Sequence, residues 1–133
     1  MRVRSGIDTV FIPRIEKILT KQSTLFLDRT YTRAERVYAQ SHDSKTRVNE
    51  IYAGRFAAKE AVAKALGTGI MTQGIALSDI EITCGEGGAP ELTLHGEALK
   101  KAQEIKVISS SVSITHEKDY ATAVCVLLTD EEV

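Results

Sequence analysis

Apolar side chains first recur at helical spacing along this chain and later alternate with polar ones. The helical part predicts three helices: one that begins at Pro13, a second over 31–42 with Thr32 as its N-cap, and a third over roughly 46–66. Gly67 is expected to end the third helix as the residue after its C-cap. The first half of the chain is therefore predicted to be mainly helical.

Strands are predicted on both sides of these helices. A short strand starts at Arg2 and ends at Gly6-Ile7-Asp8. Strict alternation returns after the third helix and predicts a hairpin over 80–94 with its turn at 85–90, then a short helix over 96–105, and finally two apolar strands over 111–115 and 121–128. Because most helices come first and antiparallel strands later, the predicted fold class is α+β.

Length and charge limit the possible functions. A chain of 133 residues makes one domain with a real core. The net charge of -1 conceals an asymmetry, since residues 1–64 hold 13 Lys/Arg against 7 Asp/Glu and residues 65–133 hold 4 against 11. The basic first half predicts an acidic partner, which is either nucleic acid or an acidic protein.

The two cysteines and the N-terminus predict the cell compartment. Cys84 and Cys125 both lie in apolar, strand-like runs without Cys or His at metal-ligand spacing, so both are expected to be reduced core residues. No signal-type hydrophobic region follows Met1–Arg4, and no apolar run has membrane-spanning length. A cytoplasmic location is therefore expected.

One helical segment carries residues suited to phosphate chemistry. Glu60 and Lys64 are spaced i,i+4 and project from one helix face. Ala57, Ala61 and Ala65 leave little bulk along this helix, so a large ligand or a strand can approach it. The pair is either an ordinary surface ion pair or a carboxylate and an ammonium that hold a divalent cation and a phosphate together.

Several segments together resemble the pattern of the holo-acyl-carrier-protein synthases, the small 4′-phosphopantetheinyl transferases of bacterial fatty-acid synthesis. The matching segments, in the family's order, are Gly6-Ile7-Asp8, Arg14-Ile15, Arg55-Phe56-Ala57-Ala58-Lys59-Glu60-Ala61, Lys64-Ala65-Leu66-Gly67-Thr68-Gly69, Asp79-Ile80-Glu81-Ile82, Gly88-Ala89-Pro90 and Ser113-Ile114-Thr115-His116. Two departures are minor: Pro13 precedes Arg14 where a polar residue is common, and Thr115 stands where Ser is frequent.

This resemblance implies a fold and a reaction. The expected fold is a single 4′-phosphopantetheinyl transferase domain over 1–133, with a long Ala-rich helix packed on a small antiparallel sheet. The implied enzyme transfers 4′-phosphopantetheine from coenzyme A to a serine of apo acyl carrier protein, with Mg²⁺, in fatty acid biosynthesis. Adenosine 3′,5′-bisphosphate is the leaving group.

The resemblance also implies roles for individual residues. Asp8 and Glu60 are expected to bind Mg²⁺, which commonly takes one or two carboxylates, waters and substrate phosphates. Glu60 and Lys64 are the expected catalytic residues, with Lys64 holding a pyrophosphate oxygen and steadying the leaving group. The base that deprotonates the serine is either a metal-bound water or Glu60 acting through a water. Asp8 and Glu60 are 52 positions apart, so the fold must bring the strand against the long helix.

Contacts to coenzyme A are implied for a second set of residues: Arg55, Lys64, Gly67, Gly88, Pro90, Thr115 and His116. His116 is expected at a phosphate or ribose of coenzyme A, the alternative being a solvated turn histidine. The turn at 88–90 is expected beside the adenine, the alternative being a plain hairpin turn.

Carrier protein and further copies of the chain are the implied partners. Arg14 matches a position that grips acidic residues beside the target serine, and Lys17, Lys21 and Arg29 are expected to extend this basic patch; a solvated helix face is the alternative. A homotrimer with coenzyme A sites at subunit interfaces is also implied. One subunit would supply Asp8, Glu60 and Lys64, and its neighbour would supply the 88–90 turn and His116.

Two other functions compete with this one. A binding module for RNA or DNA is disfavoured by an aromatic content of 5% and by the net charge of -1, so nucleic acid is not expected as a partner. No membrane partner is expected either, because no apolar run has membrane-spanning length. Another Mg²⁺-dependent nucleotide transferase or hydrolase could use the same pair, Asp8 and Glu60. Analysis of the products separates the last case, since only the transferase adds mass to a protein serine.

Overall fold

The computed structural model of the chain describes residues 1–67 and 74–132, without the side chains of residues 22 and 23. Its elements are β1 (Arg2–Phe11), α1 (Ile12–Thr30), α2 (Arg33–Gln40), α3 (Lys45–Ala65), β2 (Ile80–Cys84), β3 (Pro90–Leu94), α4 (Gly96–Glu104), β4 (Val107–Glu117) and β5 (Tyr120–Thr129). Thr68 and Gly69, at the end of the predicted glycine-rich segment, lie outside the described residues.

The core lies between α3 and an antiparallel sheet. This sheet has the strand order β1-β5-β4, and β2 and β3 form a separate two-stranded hairpin. The face of β5 toward α3 is built from small or slender residues, all buried: Ala121, Ala123, Cys125 and Leu127. The alanines of α3 are buried against it, so the helix approaches the strands closely. The expected α+β fold, with a long Ala-rich helix on a small antiparallel sheet, is confirmed.

Local sequence explains where α2 and α3 begin and end. Thr32 caps α2 as predicted, in a capping box in which its backbone N–H donates to Glu35 Oε1 at 2.8 Å. Ser44 caps α3 by accepting a hydrogen bond from the backbone N–H of Arg47. Gly67 follows the C-cap Leu66 with φ of +85°, a conformation that favours glycine.

A buried ion pair connects α2, α3 and β2. Lys59 is fully buried, and its Nζ donates to Glu35 Oε1 at 2.7 Å and to the carbonyls of Leu77 and Ile80. The other carboxylate oxygen of Glu35 accepts a hydrogen bond from the backbone N–H of Ile82. Burial lowers the pKa of Lys59, and the Glu35 carboxylate opposes that shift. The sequence pattern did not indicate this pair.

The predicted end of β1 was wrong. The strand continues to Phe11, so Asp8 lies inside it, opposite Ala123 of β5. β4 and β5 are also longer than predicted, since Glu117 still pairs with Tyr120. The weak alternation of the N-terminal residues did not reveal this length, because pairing with a distant strand stabilises it.

The prediction that both cysteines are core residues was also wrong for Cys84. Cys125 is buried, whereas Cys84 is exposed at the end of β2, where the short hairpin is uncovered. Both are free thiols. Among the described helices, none is both long enough and apolar enough to cross a membrane.

Candidate active site

A glycine brings β1 into backbone contact with α3. A Cβ added to Gly6 would lie 2.8 Å from the backbone nitrogen of Ala65 and 2.9 Å from Lys64 Cβ, and closer still to the carbonyl oxygen of Ala61. Alanines at 61 and 65 are both buried in this contact. Only a residue without a side chain fits here, so the Gly-x-Asp segment and the Ala-rich helix pack as complementary surfaces.

This packing places Asp8 beside Lys64. Lys64 Nζ donates to Asp8 Oδ1 at 3.2 Å and to the carbonyl oxygen of Ile7 at 2.9 Å. Among the described residues, no charged nitrogen lies within 4.0 Å of the Glu60 carboxylate. Lys64 is thus paired across the two elements rather than with Glu60 along the helix.

Glu60 lies in a setting that opposes its ionisation. Partial burial raises the pKa of Glu60, and the nearby Asp8 carboxylate raises it further, while Lys64 and Arg14 act in the opposite direction. Two carboxylates whose negative charges destabilise each other form a suitable place for a cation.

The protein offers few ligands for a metal ion at this place. The described residues contain no group of three or more His, Cys, Asp or Glu that could hold a metal ion, which argues against a site made wholly of protein ligands. Two carboxylates, Asp8 and Glu60, are enough for Mg²⁺, which keeps several waters and shares substrate phosphates. These residues therefore fit Mg²⁺.

His116 lies elsewhere, near the beginning of α3. Its Nδ1 is 3.4 Å from Glu50 Oε2, and its Nε2 is 3.5 Å from Arg47 Nη1. Glu50 precedes Glu60 by ten residues, a helix rise of about 15 Å. A single chain therefore does not bring His116 together with Asp8, Glu60 and Lys64. Thr115 is exposed on the neighbouring position of β4.

Arg55 and the 88–90 turn lie near each other. Arg55 Nη2 donates to Cys84 Sγ at 3.5 Å, and Cys84 Sγ is 3.9 Å from the carbonyl oxygen of Gly88. Gly88 has φ of +82°, which favours glycine in this turn. A cavity of about 530 Å³ adjoins the turn, lined by residues 89–92 and 110–113, Pro90 among them.

The electrostatics around Arg55 favour an anion. Its guanidinium stacks 5.1 Å from the ring centre of Tyr38, and its buried Nε has no hydrogen-bond partner among the described residues. Partial burial opposes ionisation of the Cys84 thiol, but hydrogen bonding to Tyr38 and Arg55 and the positive charge of Arg55 prevail, so the pKa of Cys84 is lowered.

The predicted basic patch lies along α1. The four residues of this patch are all exposed: Arg14, Lys17, Lys21 and Arg29. Among the described residues, no carboxylate oxygen lies within 4.0 Å of their charged nitrogens. Arg14 is near enough to Glu60 to lower that residue's pKa. The patch therefore begins near Glu60.

Gly67 is exposed one turn after Lys64. A Cβ added to Gly67 would lie 2.7 Å from Arg4 Nη1, and Arg4 also donates to the carbonyl oxygen of Leu66 at 3.5 Å. The end of α3 thus contacts β1 a second time.

Sequence reasoning missed the neighbours of two predicted residues. Glu50 and Arg47 adjoin His116, and the i,i+3 spacing of the two was the only local signal. Tyr38 and Cys84 adjoin Arg55 from other elements, and no spacing in the sequence indicated that contact.

Comparison with known proteins defines the class of this fold and site. The family model of the 4′-phosphopantetheinyl transferase superfamily matches residues 4–125, and the chain belongs to this family. A holo-[acyl-carrier-protein] synthase from Solidesulfovibrio magneticus is 48% identical, covering 92% of this chain and 94% of its own length.

Solved structures agree in fold. A holo-(acyl-carrier-protein) synthase from Bacillus anthracis, in complex with coenzyme A (3′,5′-ADP), has a TM-score of 0.77 at 37% identity, covering 96% of both chains. The holo-[acyl-carrier-protein] synthase from Helicobacter pylori, in complex with coenzyme A, has a TM-score of 0.79 at 35% identity, covering 93% of this chain and 99% of its own.

Proposed function

We propose that this protein transfers 4′-phosphopantetheine from coenzyme A to a serine hydroxyl of apo acyl carrier protein. The serine oxygen forms a bond to the phosphorus that bears pantetheine, the bond to adenosine 3′,5′-bisphosphate breaks, and the serine proton passes to a base. The observation that carries this proposal is the contact of Gly6 with α3, which sets the Asp8–Lys64 pair beside Glu60. Relatives named for this activity cover nearly the whole chain.

Asp8 and Glu60 would hold Mg²⁺, as their carboxylates fit its preference. The ion, when bound, supplies positive charge that offsets the charge of the pyrophosphate oxygens. Lys64 would release Asp8 and donate to a pyrophosphate oxygen, so that its charge steadies the leaving bisphosphate. Glu60, acting through a water, would accept the proton of the serine hydroxyl.

The binding site for coenzyme A would be completed by a neighbouring subunit in a homotrimer. The face of the β1-β5-β4 sheet that points away from α3 carries apolar side chains that are exposed to solvent in one copy of the chain: Val3, Ile7, Val124 and Val126. Such a face supports an interface between copies. The distance of His116 from Glu60 along α3 supports a site shared by two subunits. We assign Arg55, Gly67, Gly88, Pro90, Thr115 and His116 to coenzyme A.

Mixing two inactive variants tests the shared site. Glu60→Ala and His116→Ala should each be inactive alone, and mixed trimers should recover part of the activity, because some interfaces then contain both native residues. Sedimentation should give the mass of three chains. A monomer, or no recovery after exchange of subunits, would contradict the shared site without touching the reaction itself.

The acidic carrier protein would dock on the basic patch of α1. Arg14→Glu should raise the KM for the carrier strongly and leave the KM for coenzyme A nearly unchanged, since like charges at an interface cost several kcal/mol. Arg33→Glu, a charge reversal at another exposed arginine, on α2, is the matched control. Equal effects of the two variants would refute a docking site at Arg14.

Mass spectrometry tests the reaction. Apo carrier protein incubated with this protein, coenzyme A and Mg²⁺ should gain the mass of phosphopantetheine on one serine, and EDTA should stop the gain. We place the reaction in the cytoplasm and the whole chain in one transferase domain, in agreement with the sequence. Release of adenosine bisphosphate without a modified serine would indicate a hydrolase instead.

A further inference from the structure

A carboxylate stands between a histidine and an arginine where α3 passes the end of β4. Glu50 Oε2 is 3.4 Å from His116 Nδ1, and Glu50 Oε1 is 3.6 Å from Arg47 Nη1. The third side of this triangle, from Arg47 Nη1 to His116 Nε2, measures 3.5 Å. The Glu50 side chain is the least exposed of the three, at 21% against 41% for His116 and 46% for Arg47.

Donor and acceptor chemistry decides how this ring is held. A guanidinium has only donors, so the His116 nitrogen that faces Arg47 serves as an acceptor. A neutral imidazole then carries its proton on the other nitrogen, Nδ1, which faces the Glu50 carboxylate. In this one tautomer Nε2 accepts from Arg47, and the Nδ1 proton lies on the side of the ring that faces the carboxylate, 3.4 Å away.

We propose that Glu50 is a positioning residue for His116: it holds the ring proton on Nδ1 and keeps Nε2 as an acceptor, which a hydroxyl donor of the ligand, such as a ribose hydroxyl, reaches by displacing Arg47. The inference deepens the proposed function and rests on it where coenzyme A is the ligand. In metal sites a carboxylate on one ring nitrogen commonly fixes the tautomer and orientation of a histidine in this way. Glu50 itself need not touch coenzyme A.

Two substitutions separate this role from a plain ion pair with Arg47. Glu50→Gln removes the charge but keeps an oxygen that accepts from Nδ1–H, whereas Glu50→Ala removes both. Removing the charge also reduces repulsion of anionic coenzyme A, so Glu50→Gln is the reference for Glu50→Ala. Glu97→Ala, which breaks an exposed i,i+3 pair with Lys100 on α4, is the control for surface substitution.

Nitrogen-15 NMR of the ligand-free protein at mildly alkaline pH reads the tautomer directly. Wild type, Glu50→Gln and Glu97→Ala should all show His116 protonated on Nδ1, and Glu50→Ala should shift toward the Nε2–H form. The proposal is overturned if wild type is protonated on Nε2, or if Glu50→Ala keeps the Nδ1–H form. This measurement does not depend on any enzymatic activity.

Kinetics and calorimetry then test the consequence. Relative to Glu50→Gln, Glu50→Ala should raise the KM and the calorimetric Kd for coenzyme A about tenfold with kcat nearly unchanged, the loss expected for one hydrogen bond. Equal Kd values for the two variants would overturn the positioning role. Absence of transfer by the wild type, with the tautomer pattern intact, would instead count against the proposed function.

Discussion

The contact between Gly6 and α3 offers a direct test of how the fold builds the site. Gly6→Ala places a methyl group 2.8 Å from the backbone nitrogen of Ala65 and 2.9 Å from Lys64 Cβ. Backbone atoms of a buried helix cannot move aside as a flexible side chain can. β1 must therefore move away from α3, and Asp8 moves with it.

The size of the effect follows from this geometry. Forcing an extra methyl into a packed core typically costs about 1–3 kcal/mol, and a loss of about 2 kcal/mol lowers the Tm of a domain of this size by about 6–10 °C. A misplacement of about 1 Å between reacting groups can reduce turnover about 100-fold. We expect a folded but less stable Gly6→Ala protein with kcat reduced about 100-fold.

The assay pairs thermal unfolding by circular dichroism with transfer measured by mass spectrometry of the carrier. Gly54→Ala is the matched control on the same helix, because its added Cβ would meet only Ile114 Cγ2, at 3.0 Å. Alanine also favours the helix over glycine by about 1 kcal/mol, so this variant should remain within about 1 kcal/mol of wild type. If Gly6→Ala matched Gly54→Ala in Tm and kcat, the close contact would not be what positions Asp8.

Three further predictions concern ionisable groups. Lys59→Met leaves the Glu35 carboxylate buried without a cation, so urea unfolding should show a loss of about 3–5 kcal/mol; a loss below about 1 kcal/mol would contradict this role. Because the pKa of Glu60 is raised on folding, ionisation of Glu60 lowers the stability of the folded protein as pH rises. Glu60→Gln should therefore lose transfer activity and yet have a higher Tm than wild type at pH 7 in EDTA. The difference in Tm should disappear below about pH 4, where the carboxyl is protonated in both the folded and the unfolded state. Iodoacetamide at neutral pH should alkylate Cys84 well before Cys125, because the pKa of Cys84 is lowered whereas burial raises the pKa of Cys125 to about 12. Mass spectrometry of the digested protein measures the two alkylation rates, and equal rates would disprove the prediction.

Features that depend on neighbours in sequence were predictable without the structure. The N-cap of α2 and the end of α3 follow from Thr32 and Gly67, whose preferences act within one helical turn. The β2–β3 hairpin follows from alternation on both sides of a glycine-rich turn. Glu60 and Lys64 share a helix face because of their spacing alone.

Features that depend on distant contacts needed the tertiary structure. Lys64 pairs with Asp8 rather than with Glu60 because Gly6 allows β1 to touch α3, and no local pattern shows which strand a helix will meet. The length of β1 depends on its pairing with β5, at the opposite end of the chain. The Glu50–His116 contact joins residues 66 positions apart, and its existence depends on how α3 lies across the sheet. Helix period and capping arise within a few residues, whereas strand register and helix–sheet packing arise from the whole core at once.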